Sequence, residues 1–173
     1  ANPQTQVAIV ESGDIEYTPK NAMLASIAGQ ILTNRLIKTV REEMGAVYSI
    51  SASGSLDRSG LNPASIMSEF PMKPEMKEEV LAFSKGQFKD METNIAAAEL
   101  NPAKEYMVKA FTTNKELNSP WLSAIVGTLS NGVDTFNGNV DVVNSITPQD
   151  VMDFMKALNA QGNYRVLILD PAK

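Results

Sequence analysis

The chain contains no cysteine and no histidine in its 173 residues. Without cysteine there is no disulfide, no zinc ribbon and no thiol nucleophile. Without histidine, the commonest general base and the commonest zinc ligand are both missing. A Ser-His-Asp triad cannot be built, and neither can the zinc-peptidase motifs H-E-x-x-H and H-x-x-E-H. If the chain takes part in hydrolysis, another polypeptide segment must supply the reacting group. Positive charge is also short, with 15 Lys and Arg against 20 Asp and Glu and a formal net charge of -5. That balance, with no cluster of Lys and Arg, argues against a nucleic-acid surface. No apolar run approaches the roughly 20 residues that span a bilayer, so the chain reads as soluble. The lack of cysteine suits a bacterial periplasmic protein and a cytosolic one alike.

What is present suits one domain over residues 1–173, a length that buries a sizeable core. The chain opens with Ala1-Asn2-Pro3-Gln4, which does not resemble a signal peptide, and runs almost directly into a strand pattern. It reads as a segment of a longer protein.

Thr5 to Ser12 alternates as a strand, with Val7 and Ile9 on one face and Ala8 and Val10 on the other, both partly buried. Thr18-Pro19 pairs a hydroxyl N-cap with a proline at the first helical position. Met23, Leu24, Ile27, Ala28, Ile31 and Leu32 then recur at helical spacing. Thr33-Asn34 is a soft spot where a break is expected, with resumption through Leu36, Ile37 and Val40. Gly45 is the natural left-handed stop. Val47 to Ser55 and Pro63 to Phe70 read as strands paired antiparallel across a hairpin loop at 56–60. Ser49, Ser51, Ser53 and Ser55 share one face of the first of these, and Tyr48, Ile50 and Ala52 the other.

A helix is expected from Pro74 to about Ile95, with Met76, Val80, Phe83, Phe88 and Met91 apolar. Asn101-Pro102, Ser119-Pro120 and Thr147-Pro148 repeat the cap-then-proline start and predict three more helices. Gly162 closes the last helix, and Tyr164 to Leu169 reads as a final strand. This order predicts an α+β fold with a mainly antiparallel sheet packed against several helices. A dinucleotide fold is disfavoured, because no G-x-G-x-x-G follows a strand.

Several residues could carry chemistry. Asp134 to Asp141 has oxygen ligands at the wrong offsets for a calcium loop and reads as a turn. Glu42, Glu43, Glu78, Glu79 and Glu92 lie on expected helix surfaces, where charge solvates the exposed face, and receive no catalytic role. Met67, Met72, Met76 and Met91 read as core fillers, and Trp121 as a packing anchor. Arg41 and Tyr48 stand seven positions apart across a helix-to-strand corner. A structural reading serves both: a cation in the last turn of a helix, and a strand tyrosine with its ring buried and its hydroxyl in water.

The run Arg41-Glu42-Glu43-Met44-Gly45-Ala46-Val47-Tyr48, preceded by Leu36, resembles a corner in the pitrilysin/insulinase family of zinc metallopeptidases, which includes the mitochondrial processing peptidases. The early strand, the long helix, the hairpin, the Pro-started helix after Phe70, a Trp-containing helix and Ile146-Thr147-Pro148-Gln149-Asp150-Val151 fall in the family's order, so the resemblance covers nearly the whole chain. It implies a metallohydrolase-like domain of the mitochondrial processing peptidase type, the last of four related domains. It also implies zinc in the parent enzyme, bound by H-x-x-E-H in the first domain and not by this chain. Arg41 and Tyr48 match an arginine and a tyrosine that reach across an enclosed chamber to the peptide backbone, as substrate-binding or transition-state support. The implied partners are the other domains or a paired subunit, and a peptide substrate. Phenol and guanidinium donors suit an oxygen that gains negative charge. The resemblance leaves one alternative: a structural or partner-binding module from an inactive member of the family.

Overall fold

The computed structural model describes residues 3–57, 63–132, 134 and 136–171. Four strands form one antiparallel sheet: β1 (Thr5–Gly13), β2 (Ala52–Ser55), β3 (Ala64–Met72) and β4 (Arg165–Leu169), in the order β2-β3-β1-β4. The helices are α1 (Pro19–Leu36), α2 (Lys77–Asp90), α3 (Ala97–Asn114), α4 (Asn118–Asn131), α5 (Asn139–Ser145) and α6 (Pro148–Asn159). This is the expected α+β architecture. The hairpin loop expected between β2 and β3 falls largely outside the described residues.

Strand alternation decides which face is covered. Val7, Ile9, Ile66 and Phe70 lie on the buried face, with Val7 opposite Phe70 in the ladder. Helix α1 lies over that face through Leu24, Ile27, Ala28, Ile31 and Leu32, all buried. Val151, Phe154, Met155 and Leu158 of α6 extend the same core. Each fully buried Ile, Leu or Phe contributes about 1.5–3 kcal/mol relative to exposure.

The contact between α1 and β2 is closer than side chains allow. A Cβ on Gly29 would lie 2.4 Å from Gly54 N, and one on Gly54 would lie 1.7 Å from the Ala25 carbonyl oxygen. Four residues further along the helix, Thr33 Oγ1 lies 2.8 Å from the Ala52 carbonyl oxygen and accepts from the Ala52 N–H at 2.8 Å. It also lies 2.9 Å from the Gly29 carbonyl oxygen, so its single proton is shared between two acceptors. Ala25, Gly29 and Thr33 thus form a small-residue track, at i, i+4 and i+8, on which β2 lies.

Two of the four expected cap-and-proline starts are real. The Asn21 N–H donates to Thr18 Oγ1 at 3.0 Å, and the Thr147 N–H and Asp150 carboxylate complete a reciprocal cap on α6. Asn101-Pro102 is not a start, because α3 begins at Ala97. Glu99 reaches back to the Ala96 N–H at 3.0 Å and leaves Pro102 in the second turn. Ser119-Pro120 lies inside the first turn of α4, where a missing N–H leaves no intrahelical partner unserved. The expected helix from Pro74 opens with a 3₁₀ turn and ends at Asp90. Helix α5 was not expected.

The edges differ. Strand β2 is backed by α1, whereas β4 is exposed along its whole length, including Val166, Leu167, Ile168 and Leu169. On α4, Leu122, Ile125, Val126 and Leu129 are exposed as well.

Candidate functional site

The expected break at Thr33-Asn34 does not occur, because Thr33 is held between helix and strand by its hydroxyl. The helix instead changes pitch after Leu36, and Ile37–Glu43 is π-helical. Its last turns are closed by the Met44 N–H donating to the Thr39 carbonyl at 2.9 Å and the Ala46 N–H donating to the Val40 carbonyl at 3.0 Å. Gly45 has φ +59, the left-handed stop that a side chain resists. Short π segments in otherwise regular helices are frequent at functional sites. Arg41 stands in this segment, exposed, in the last turn, where the helix dipole favours a cation.

The segment after Gly45 is not the strand expected from Val47; pairing begins only at Ala52. Its backbone is nonetheless tied at three places. The Lys73 N–H donates to the Ala46 carbonyl at 3.1 Å, Ser68 Oγ to the Ser51 carbonyl at 2.7 Å, and Thr33 engages Ala52. Ala46, Val47 and Ile50 are buried. Tyr48 stands between these anchors with 87% of its surface exposed. The structural reading, with the ring buried beside Ile50, is therefore overturned for Tyr48: Val47 before it and Ile50 after it point inward and the ring points out.

Neither the Arg41 nor the Tyr48 side chain has a hydrogen bond or ion pair among the described residues. A guanidinium and a phenol thus stand unengaged on either side of one glycine-stopped corner whose backbone is fixed. Glu42 and Glu43 beside them are exposed. The guanidinium and the phenol offer donors to a carbonyl or carboxylate oxygen.

The other sequence candidates fall elsewhere. The Asp134 carboxylate accepts from the Phe136 and Asn137 N–H groups at 2.8 and 3.1 Å and caps its own turn. Glu92 is no simple surface charge: Lys89 and Asn159 both donate to it. Met72 and Met91 are core residues, whereas Met67 is exposed on the open sheet face. Trp121 packs on Phe136 at 4.2 Å between ring centroids and donates from Nε1 to the Lys115 carbonyl at 2.9 Å.

Two arrangements escaped the sequence reading. Arg35 donates to both oxygens of Glu99 at 2.7 and 3.0 Å, to Asp90 at 2.7 Å and to the Asn94 carbonyl at 2.5 Å. It ties α1 to the end of α2 and the start of α3; a basic residue two positions before the π segment is no signal for that. The second is Glu11, only 3% exposed on the helix-covered face. Burial pushes its carboxyl above the ordinary 4.5, against the lowering influence of Arg165 and the Asn163 backbone. Glu11 Oε1 and the Tyr164 hydroxyl have no hydrogen-bond partner among the described residues.

The chain has no histidine or cysteine, and no group of three acidic side chains among the described residues could hold a metal. No helix among them is long and apolar enough to cross a membrane.

No family model and no curated protein matches this sequence. Solved structures do. The periplasmic protease PqqL from Escherichia coli superposes with a TM-score of 0.84 at 20% identity, over 99% of this chain and 19% of its own. The chain has the fold of an M16 peptidase domain. The ferredoxin protease FusC, solved in complex with Arabidopsis ferredoxin, gives 0.84 at 17% identity over the same shares. The inactive peptidase domain of a putative zinc protease from Bordetella parapertussis gives 0.77 at 15% identity, over 100% of this chain and 96% of its own. The chain thus spans about a fifth of the length of PqqL and FusC, and nearly all of the Bordetella domain. These likenesses bear out the resemblance to the pitrilysin-type peptidases at the level of the fold.

Proposed function

We propose that this chain is the zinc-free, C-terminal domain of a metalloendopeptidase, closing the proteolytic chamber and binding peptide backbone through Arg41 and Tyr48. The observation that carries the reading is the corner itself. Two donor side chains stand exposed and unengaged on a backbone held by Gly45, Lys73, Ser68 and Thr33. Donors fixed in advance lose little on meeting an oxygen that gains charge, which is where such groups contribute most. Zinc and the general base belong to another domain in this reading, and the chain alone is inert.

The test is made in the complete peptidase. Tyr48→Phe and Arg41→Ala are each expected to lower kcat by roughly 10²-fold, the usual loss for one such donor, with zinc content unchanged. Normal turnover in both variants would remove the assignment.

A second reading is favoured by the inactive M16 domain from Pseudomonas fluorescens, which has this fold at a TM-score of 0.73 and 18% identity. In that reading the chain is a structural or partner-binding module of a peptidase relative without catalysis. A parent sequence without any H-x-x-E-H would establish it.

A further inference from the structure

The open face of the sheet carries a cavity of about 400 Å³, lined by Gln6, Ser51, Ser53, Met67, Glu69 and Pro71. The ladder leaves room there. Glu69 stands opposite Ala8 of β1, and Met67 opposite Ser53, so each long side chain faces a short one across the sheet. Glu69 is exposed, and its carboxylate has neither a hydrogen bond nor an ion pair among the described residues. The walls are unlike a general polar surface, with the thioether of Met67 and the ring of Pro71 beside one carboxylate and the Gln6 amide. Ser51 follows Tyr48 by three residues, which an extended chain covers in at most about 11 Å. The cavity therefore lies within a few peptide residues of the Arg41–Tyr48 corner.

Resting on the corner as a substrate-contacting wall, we propose that this cavity is a subsite for a lysine or arginine side chain of the bound peptide. The aliphatic stem lies along Met67 and Pro71, and the cationic head meets Glu69. Lysine and arginine are the side chains that pair an apolar stem with a charged tip. A carboxylate with no partner among the described residues gains one without breaking an existing contact. An acidic peptide side chain is disfavoured in the same cavity by like charge.

The experiment is a ¹⁵N–¹H NMR titration of the 173-residue chain with two capped pentapeptides, identical except for a central lysine or norleucine. The lysine peptide is expected to shift the amides of Ser51, Ser53, Met67 and Glu69 and to bind about three- to fivefold more tightly than its norleucine twin, the range of an accessible ion pair. Glu69→Gln, whose exposed position leaves folding intact, is expected to abolish that preference, and so is high salt. Equal binding of the two peptides, or a preference that survives Glu69→Gln, overturns the subsite. The amides around Tyr48 report on the corner independently. A lysine preference with no shift at Tyr48 supports the subsite while removing the corner from peptide binding; shifts at Tyr48 with no lysine preference overturn the subsite alone.

Discussion

Gly54 and Ala25 are in backbone contact: a methyl group on Gly54 would sit 1.7 Å from the Ala25 carbonyl oxygen. No rotamer change relieves this, because both partners are main chain. Helix α1 and strand β2 must separate, or Gly54 must remain glycine. The same approach brings the Thr33 hydroxyl to both polar groups of Ala52, and so fixes the strand that follows Tyr48.

Gly54→Ala is therefore expected to destabilise the fold by about 3 kcal/mol, the upper part of the usual range for overpacking. Chemical denaturation measures it. A loss below about 0.5 kcal/mol would mean that α1 and β2 separate freely.

Thr33→Val keeps the shape and removes the hydroxyl, leaving the Ala52 N–H and carbonyl without that partner. A loss of about 1–2 kcal/mol is expected, the desolvation cost of unpaired groups, while Thr33→Ser stays close to the parent. A Thr33→Val variant more stable than Thr33→Ser would show that the methyl group, not the hydroxyl, is what matters.

Arg35→Met removes one cation from two carboxylates and a carbonyl. Because Asp90 and Glu99 keep some access to water, the cost is expected at about 2–3 kcal/mol, below that of breaking a fully buried pair. The Arg35 hydrogen bond holds the Glu99 carboxyl below its ordinary value. Its contribution is present above the ordinary carboxylate range and is lost as pH falls through the lowered value. The parent should therefore lose more stability than Arg35→Met on acidification, as equilibrium denaturation across pH 3–6 would read.

Glu11 has the opposite sign. Its folded value is raised by burial, so the folded state holds the proton more tightly than the unfolded chain. Its contribution to stability is fully present below the ordinary value of 4.5 and is lost as pH rises through the raised one. Glu11→Gln is expected to gain stability relative to the parent at pH 7 and little at pH 4. Tyr164, pushed up to about 12 by burial and then by Glu11, adds a second loss above its ordinary 10.0.

Arg41→Ala and Tyr48→Phe are expected to change thermal stability within about 0.5 kcal/mol, as befits exposed groups without partners. Coupled with loss of turnover in the complete peptidase, that result separates binding from folding. A large stability loss in either variant would point to a packing role.

The fold was legible where one local signal decided the outcome. Strand alternation gave β1, and Thr18 and Thr147 before proline gave two real helix starts. Gly45 gave the stop. The reading failed where a distant partner decided. Asn101-Pro102 is a start by local rules, yet Glu99, held by Arg35 from α1, begins the helix earlier. Thr33 looked like a weak point because its contacts lie on β2, nineteen residues away. The proposed corner was legible in its residues and not in its shape. Arg41 and Tyr48 were named from the sequence, but the π segment and the outward ring depend on the packing of Val47 and Ile50. The Ala25-Gly29-Thr33 track, facing Gly54, was a signal that could have been read.

Strand β4 bears on handling rather than on chemistry. Its outer edge presents unpaired main-chain groups flanked by Val166, Leu167, Ile168 and Leu169, with only Arg165 as a charged guard. Such an edge recruits strands from any neighbouring molecule. In concentrated solution the practical ceiling for this chain is thus colloidal and not thermodynamic, and a well-folded sample can still precipitate. A single lysine on the open-face position Leu167 is the smallest change that would raise that ceiling while leaving the core untouched.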